Sequence, residues 1–138
     1  MQVNRYLKDK AMDRIDHALG RPLNPLSETF RDHYATDTDG SIAREMRASP
    51  HWKGGKAIDR MAFFYVSDAG RKALADHLKE IKDAHKAYVV AFDGIEMSVV
   101  ATSPGKARYS AFLSASDCND DLTFRQFQKE CTVRRAAA

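Results

Sequence analysis

Phe63-Phe64-Tyr65-Val66-Ser67-Asp68-Ala69-Gly70-Arg71-Lys72-Ala73-Leu74 is the stretch on which the reading of the chain turns. Its first four residues are aromatic or β-branched, side chains that fit a pleated and half-buried surface, and they predict a strand. Ser67 stops it. A hydroxyl there can accept from the free amides of a helix start, and Asp68 puts negative charge where the helix dipole favours it. Leu74, Leu78 and Ile81 then recur at helical spacing, so a helix is expected over 67–84.

Upstream, Trp52 to Val66 reads as a hairpin, with Gly54-Gly55 as its flexible part and Met61 to Val66 as its second strand. Ser41 is expected to cap a short helix carrying Ile42, Arg44, Met46 and Arg47, stopped before Pro50 because the residue ahead of a proline disfavours helix. Thr36-Asp37-Thr38-Asp39-Gly40 is a turn cluster. Another short helix is expected from Ser27, with Phe30 and Tyr34 on one side. Residues 3–19 predict an amphipathic helix, striped by Val3, Leu7, Ala11, Ile15 and Leu19 and ended by Gly20, Pro22 and Pro25. The expected order is helix, helix, helix, hairpin, helix.

Downstream the pattern changes. Ala87 to Phe92 reads as a strand, Asp93-Gly94 is a strong hairpin signal, and Ile95 to Thr102 is the return strand. Ser103-Pro104 fits an N-cap and first helical residue, since proline loses nothing where its missing N–H would be unpaired. Tyr109, Phe112 and Leu113 are expected on the apolar face of that helix. Asp117 to Asp121 is a polar break, Thr123 opens a helix through Phe124 and Phe127, and Cys131 to Val133 returns as a third strand. The expected class is α+β: residues 1–84 as helices plus hairpin with a connecting helix, and 85–138 as a ββααβ unit.

Among 138 residues, 43% are hydrophobic, enough for a real core, and 30% are charged. No run approaches the roughly 20 apolar residues that span a bilayer, and the N-terminus lacks the apolar run of a signal peptide, so no membrane partner and a cytoplasmic location are expected. Cys118 and Cys131 are too few for a disulfide framework.

Net charge is only +3, but it is unevenly spread. Between residues 44 and 72 stand Arg44, Arg47, Lys53, Lys56, Arg60, Arg71 and Lys72, opposed only by Glu45, Asp59 and Asp68. Such a surplus around a hairpin suits a polyanion. Other chemistries find no footing. Asp37-Thr38-Asp39-Gly40 has the middle of a calcium loop, but Ala35 and Met46 occupy its essential end positions. The histidines (His17, His33, His51, His77, His85) show no metal-ligand spacing. Neither Gly54-Gly55-Lys56 nor Pro104-Gly105-Lys106 is a phosphate-binding loop of the Walker type. No catalytic residue, metal or cofactor is expected. Trp52 reads as a hairpin anchor or as a base-stacking ring.

The joint at 63–74, together with the element order before it, resembles a winged helix-turn-helix domain. That resemblance implies DNA binding, with Arg44 and Arg47 on a recognition helix facing the groove. Lys53, Lys56, Arg60, Arg71 and Lys72, around the wing, would face phosphates, and Ser67 with the first-turn amides could meet another. Winged proteins also dimerise through the helix that follows the wing, which makes a homodimer a further expectation. Residues 86–135 have a general likeness to small phage and prophage proteins, carried by Lys106-Ala107-Arg108-Tyr109, Thr123-Phe124-Arg125-Gln126-Phe127 and Val133-Arg134-Arg135. This likeness implies a mobile-element origin and a host-cell cytoplasm. The leading expectation is a non-enzymatic DNA-binding accessory protein. The alternative is an anti-CRISPR-like inhibitor that binds a host defence complex by protein–protein contact.

Overall fold

Asp9 decides where the first helix begins. Its carboxylate accepts from the Met12 amide at 3.2 Å, which makes it the N-cap of α1 (Lys10–Ala18). The computed structural model describes residues 3–137 and divides them into two compact units, one ending at Asp83 and the other beginning at Ala84. Residues 3–9, expected to be helical, are instead an irregular strap, with the Val3 amide donating to the Arg21 carbonyl at 2.7 Å. A buried ion network holds them there. Arg5 donates to both carboxylate oxygens of Asp16, at 2.6 and 3.0 Å, and Arg21 donates to Asp16 at 3.1 Å and to Asp13 at 2.8 Å. Asp16 is wholly buried. Paired and hydrogen-bonded like this, a buried carboxylate is tolerated; alone it would not be. The Arg21 guanidinium also holds the Asp13 carboxyl below the usual carboxylate range.

The rest of the first unit runs β1 (His33–Asp37), α2 (Ser41–Ala48), β2 (Trp52–Ile58), β3 (Met61–Val66) and α3 (Asp68–Glu80). Two local expectations are corrected. No helix starts at Ser27: the segment from Ser27 to Asp32 is irregular, and His33–Asp37 is a strand paired antiparallel with β3, from His33 opposite Tyr65 to Asp37 opposite Met61. Phe30, placed beside Tyr34 on that expected helix, is 85% exposed. Ser41 lies inside α2, whose N-cap is Gly40 with no side-chain bond. The hairpin reverses at Asp59-Arg60, where Asp59 adopts a φ of 57°, and its second strand begins at Met61 as expected, while Gly54-Gly55 lie within β2. Those two glycines, at φ of 89° and 90°, form a bulge that shifts the β2 register between Gly54 and Lys56.

The sheet order is β1-β3-β2. Alternation along β3 sends Ala62, Phe64 and Val66 to the face packed on the helices. Val66 meets Ile15, Leu19, Leu74 and Leu78, while Ala62 and Phe64 meet Ala43 and Met46; Tyr34 and Trp52 border both groups. Of the stripe expected on this helix, Leu74 and Leu78 are buried inside this unit and Ile81 is 48% exposed.

The second unit follows the order β4 (Lys86–Phe92), β5 (Ile95–Ala101), α4 (Pro104–Ser116), α5 (Phe124–Glu130), β6 (Thr132–Arg135), with sheet order β5-β4-β6. Asp93 and Gly94, at φ of 51° and 76°, make the tight turn that only such residues adopt cheaply. Ser103 and Thr123 cap their helices, each accepting an amide at 3.2 Å. Tyr88, Val90, Ala107, Ala111 and Phe127 form the core. Tyr109 and Leu113 are half exposed, so the buried stripe of α4 is the small-residue one, with Phe112 partly covered. The chain is α+β, and among the described residues no helix is long and apolar enough to cross a membrane.

Candidate nucleic-acid interface

The strand-to-helix joint is built as its residues demand. Ser67 Oγ accepts from the Gly70 amide at 3.1 Å and donates to the Pro50 carbonyl at 2.7 Å, while the Ser67 amide donates to the His51 carbonyl at 2.9 Å. Gly70 makes this approach feasible: an added Cβ would collide with the His51 carbonyl oxygen and lie 2.9 Å from Val66 Cγ1. Ser67 and the Gly70 amide are therefore engaged within the chain.

The seven cations divide sharply. Arg71 is half-buried and donates to the carbonyls of Pro25 and Ser27, at 3.1 and 3.0 Å, and to Thr29 Oγ1 at 3.0 Å; it holds the loop that replaced the expected second helix. Arg47 reaches the Thr38 carbonyl at 2.9 Å, Thr38 Oγ1 at 2.8 Å and the Gly55 carbonyl at 3.3 Å, with its guanidinium 5.9 Å from the Phe64 ring centre. It clamps the bulge to the β1–α2 turn. Arg44 bonds the Asp39 carbonyl at 2.9 Å, and Glu45 on the same helix pairs with Arg14 at 3.3 Å. Lys72 pairs with Asp76 at 2.7 Å, one turn along α3, and holds that carboxyl below the usual carboxylate range.

Lys53, Lys56 and Arg60 remain. All three are exposed on the β2–β3 hairpin, and none of their side chains makes a hydrogen bond or ion pair among the described residues. Lys53 and Lys56 stand on β2 directly opposite Tyr65 and Phe63, and Arg60 is in the turn. Asp59 is the one carboxylate in that turn.

The sheet face away from the helices carries what sequence reasoning passed over. Met61 and Tyr65 are 40% and 44% exposed, Ile58 is 59% exposed, and Phe63 is half-buried. The period-two alternation of Met61–Val66 was the available signal, since it puts Phe63 and Tyr65 together on one side. Trp52 lies toward the covered side, its ring edge-on to Tyr34 at 6.0 Å and to Phe64 at 6.5 Å, and serves as a core anchor. Comparison of the chain with protein-family models, curated proteins and solved structures returns no match.

Proposed function

We propose that the protein binds DNA through the β2–β3 hairpin, with Lys53, Lys56 and Arg60 contacting phosphates. One observation carries the reading: these three cations are exposed together on a single ribbon and have no partner among the described residues, whereas the other four are engaged elsewhere. A cation already bonded to a carbonyl or carboxylate must give up that bond to meet a phosphate, so the free ones contribute most. The recognition-helix role expected for Arg44 and Arg47 has less behind it. Both turn back onto the β1–α2 turn, and Glu45 stands between them.

Fluorescence anisotropy with a labelled DNA oligonucleotide tests this. The Lys53→Ala/Lys56→Ala/Arg60→Ala variant should bind more weakly, and its plot of log affinity against log salt should be shallower by about 2 to 3, one counterion-release contribution per lost contact. Arg44→Ala should change neither. Equal affinity and equal slope for the triple variant and the wild type would remove the hairpin from the interface.

A further inference from the structure

We infer that the DNA this hairpin takes is single-stranded, with unpaired bases stacking on Phe63 and Tyr65 of the open sheet face while Lys53 and Lys56 hold the flanking phosphates. The inference rests on the DNA-binding reading and adds the form of the ligand.

The register supplies the juxtaposition. Tyr65 is opposite Lys53 on one side and His33 on the other; Phe63 is opposite Lys56 and Ala35. Side chains directly opposite in an antiparallel pair have Cβ atoms about 5 Å apart, so each ring has an ammonium within reach on the β2 side. No carboxylate occupies the cross-strand positions of either ring. The nearest on this face, Asp37, lies opposite Met61, and its Oδ1 accepts from the Asp39 amide at 3.0 Å.

Gly54 keeps the platform open. A Cβ there would sit 3.1 Å from Cδ2 and 3.5 Å from Cε2 of Tyr65, so the tyrosine ring extends over β2 into space that only glycine leaves. The bulge at Gly54-Gly55 then brings Lys56 opposite Phe63 despite the extra residue. All the helix packing of the unit is on the other face, with Ala62, Phe64 and Val66. What remains outside is a short row of rings edged by lysines that make no ion pair among the described residues.

Duplex DNA cannot use such a row. Its base faces are already stacked, and only an unpaired base offers a π-face to a protein ring. Spacing points the same way. Phe63 and Tyr65 are two residues apart, roughly 6.7 Å along a strand, about twice the base rise of a duplex strand. A stretched single strand matches that separation.

Anisotropy with labelled dT15 and a labelled 15-base-pair duplex decides the matter at fixed salt. The wild type should bind dT15 more tightly than the duplex. Tyr65→Ala and Phe63→Ala should each weaken dT15 binding about tenfold while leaving duplex binding unchanged, and Tyr65→Phe should bind dT15 like the wild type. Trp52 fluorescence at the wild-type maximum establishes that each variant is folded. Should Phe63→Ala fail to fold, Phe63→Leu removes the π-face with less loss of bulk and is expected to weaken dT15 similarly. Unchanged dT15 affinity in Tyr65→Ala, or a wild-type preference for duplex, would overturn stacking; with the lysine and arginine dependence intact, the hairpin reading would survive it. If neither oligonucleotide bound the wild type, both readings would fall together.

Discussion

The two units each place helices against one face of a three-stranded antiparallel sheet, yet they finish the opposite face in contrasting ways. In the second unit that face carries Ala87, Val89 and Ala91 on the central strand, with Val100, Ser98 and Glu96 beside them and no aromatic ring. Its charges answer one another: Arg134 and Glu96 meet at 3.4 Å across β4. In the first unit the corresponding strand shows Met61, Phe63 and Tyr65, and the lysines beside them make no ion pair among the described residues. Aliphatic residues beside a closed ion pair offer neither a free charge nor a π-face. Rings beside unanswered cations leave interaction capacity unspent, and the proposed function rests on that difference.

The contrast within β3 is the strongest way to break this picture, because neighbouring residues there are assigned opposite work. Phe64 is 1% exposed among Ala43, Met46 and Ala62, so Phe64→Ala should cost about 3–5 kcal/mol through lost burial and a residual cavity. Tyr65→Ala, on the open face, should cost under about 1 kcal/mol, mostly its cross-strand pairing. Urea denaturation followed by fluorescence reads both, since the single tryptophan, Trp52, lies 6.5 Å from the Phe64 ring. Similar losses for the two variants would mean that the outer ring is structural and the two faces are not distinct in role.

Asp16 tests whether the first unit depends on its ion network for the frame behind that sheet. Asp16→Ala leaves Arg5 and Arg21, each under a tenth exposed, without their shared carboxylate. Stripping one member from a buried pair typically costs about 3–5 kcal/mol, more than the pair itself contributes. The Trp52 transition should move to lower urea accordingly. A change below about 1 kcal/mol would show that Arg5 and Arg21 find water when the carboxylate is gone.

Local chemistry was legible in the chain, and distant pairing was not. Ser67 announced its cap, Asp93-Gly94 its turn, and Ser103-Pro104 its helix start, because each acts on atoms within three or four residues. Strand β1 was hidden: Tyr34 reads equally well as a helical neighbour of Phe30, and only pairing with β3, some thirty residues on, makes it a strand. Val3 and Leu7 imitate a helical stripe, but Arg5 reaching Asp16 eleven residues away draws the strap out of the helix. The same limit governs the interface. Composition grouped seven cations around the hairpin, yet Arg47 and Arg71 are long enough to reach backward to Thr38, Gly55 and the carbonyls of Pro25 and Ser27, and no spacing rule forecasts that. Phe63 and Tyr65 escaped notice because β3 is aromatic on both faces, so alternation alone does not say which face the helices cover.

The smallest effect concerns the closed face of the second sheet. Glu96 and Arg134 are 64% and 59% exposed, so a double-mutant cycle with alanine, read by urea denaturation and circular dichroism, should find a coupling of about 0.2–1 kcal/mol that fades as salt rises. Glu96→Ala also frees Arg134 and thereby gives this face an unanswered cation beside Val89 and Ala91. Charge alone would then make the two sheets more alike, while the rings would still be missing from one of them. Binding of dT15 should therefore change far less than it does in Tyr65→Ala. If Glu96→Ala tightened binding as much as Tyr65→Ala loosened it, free charge rather than aromatic surface would be what distinguishes the two faces.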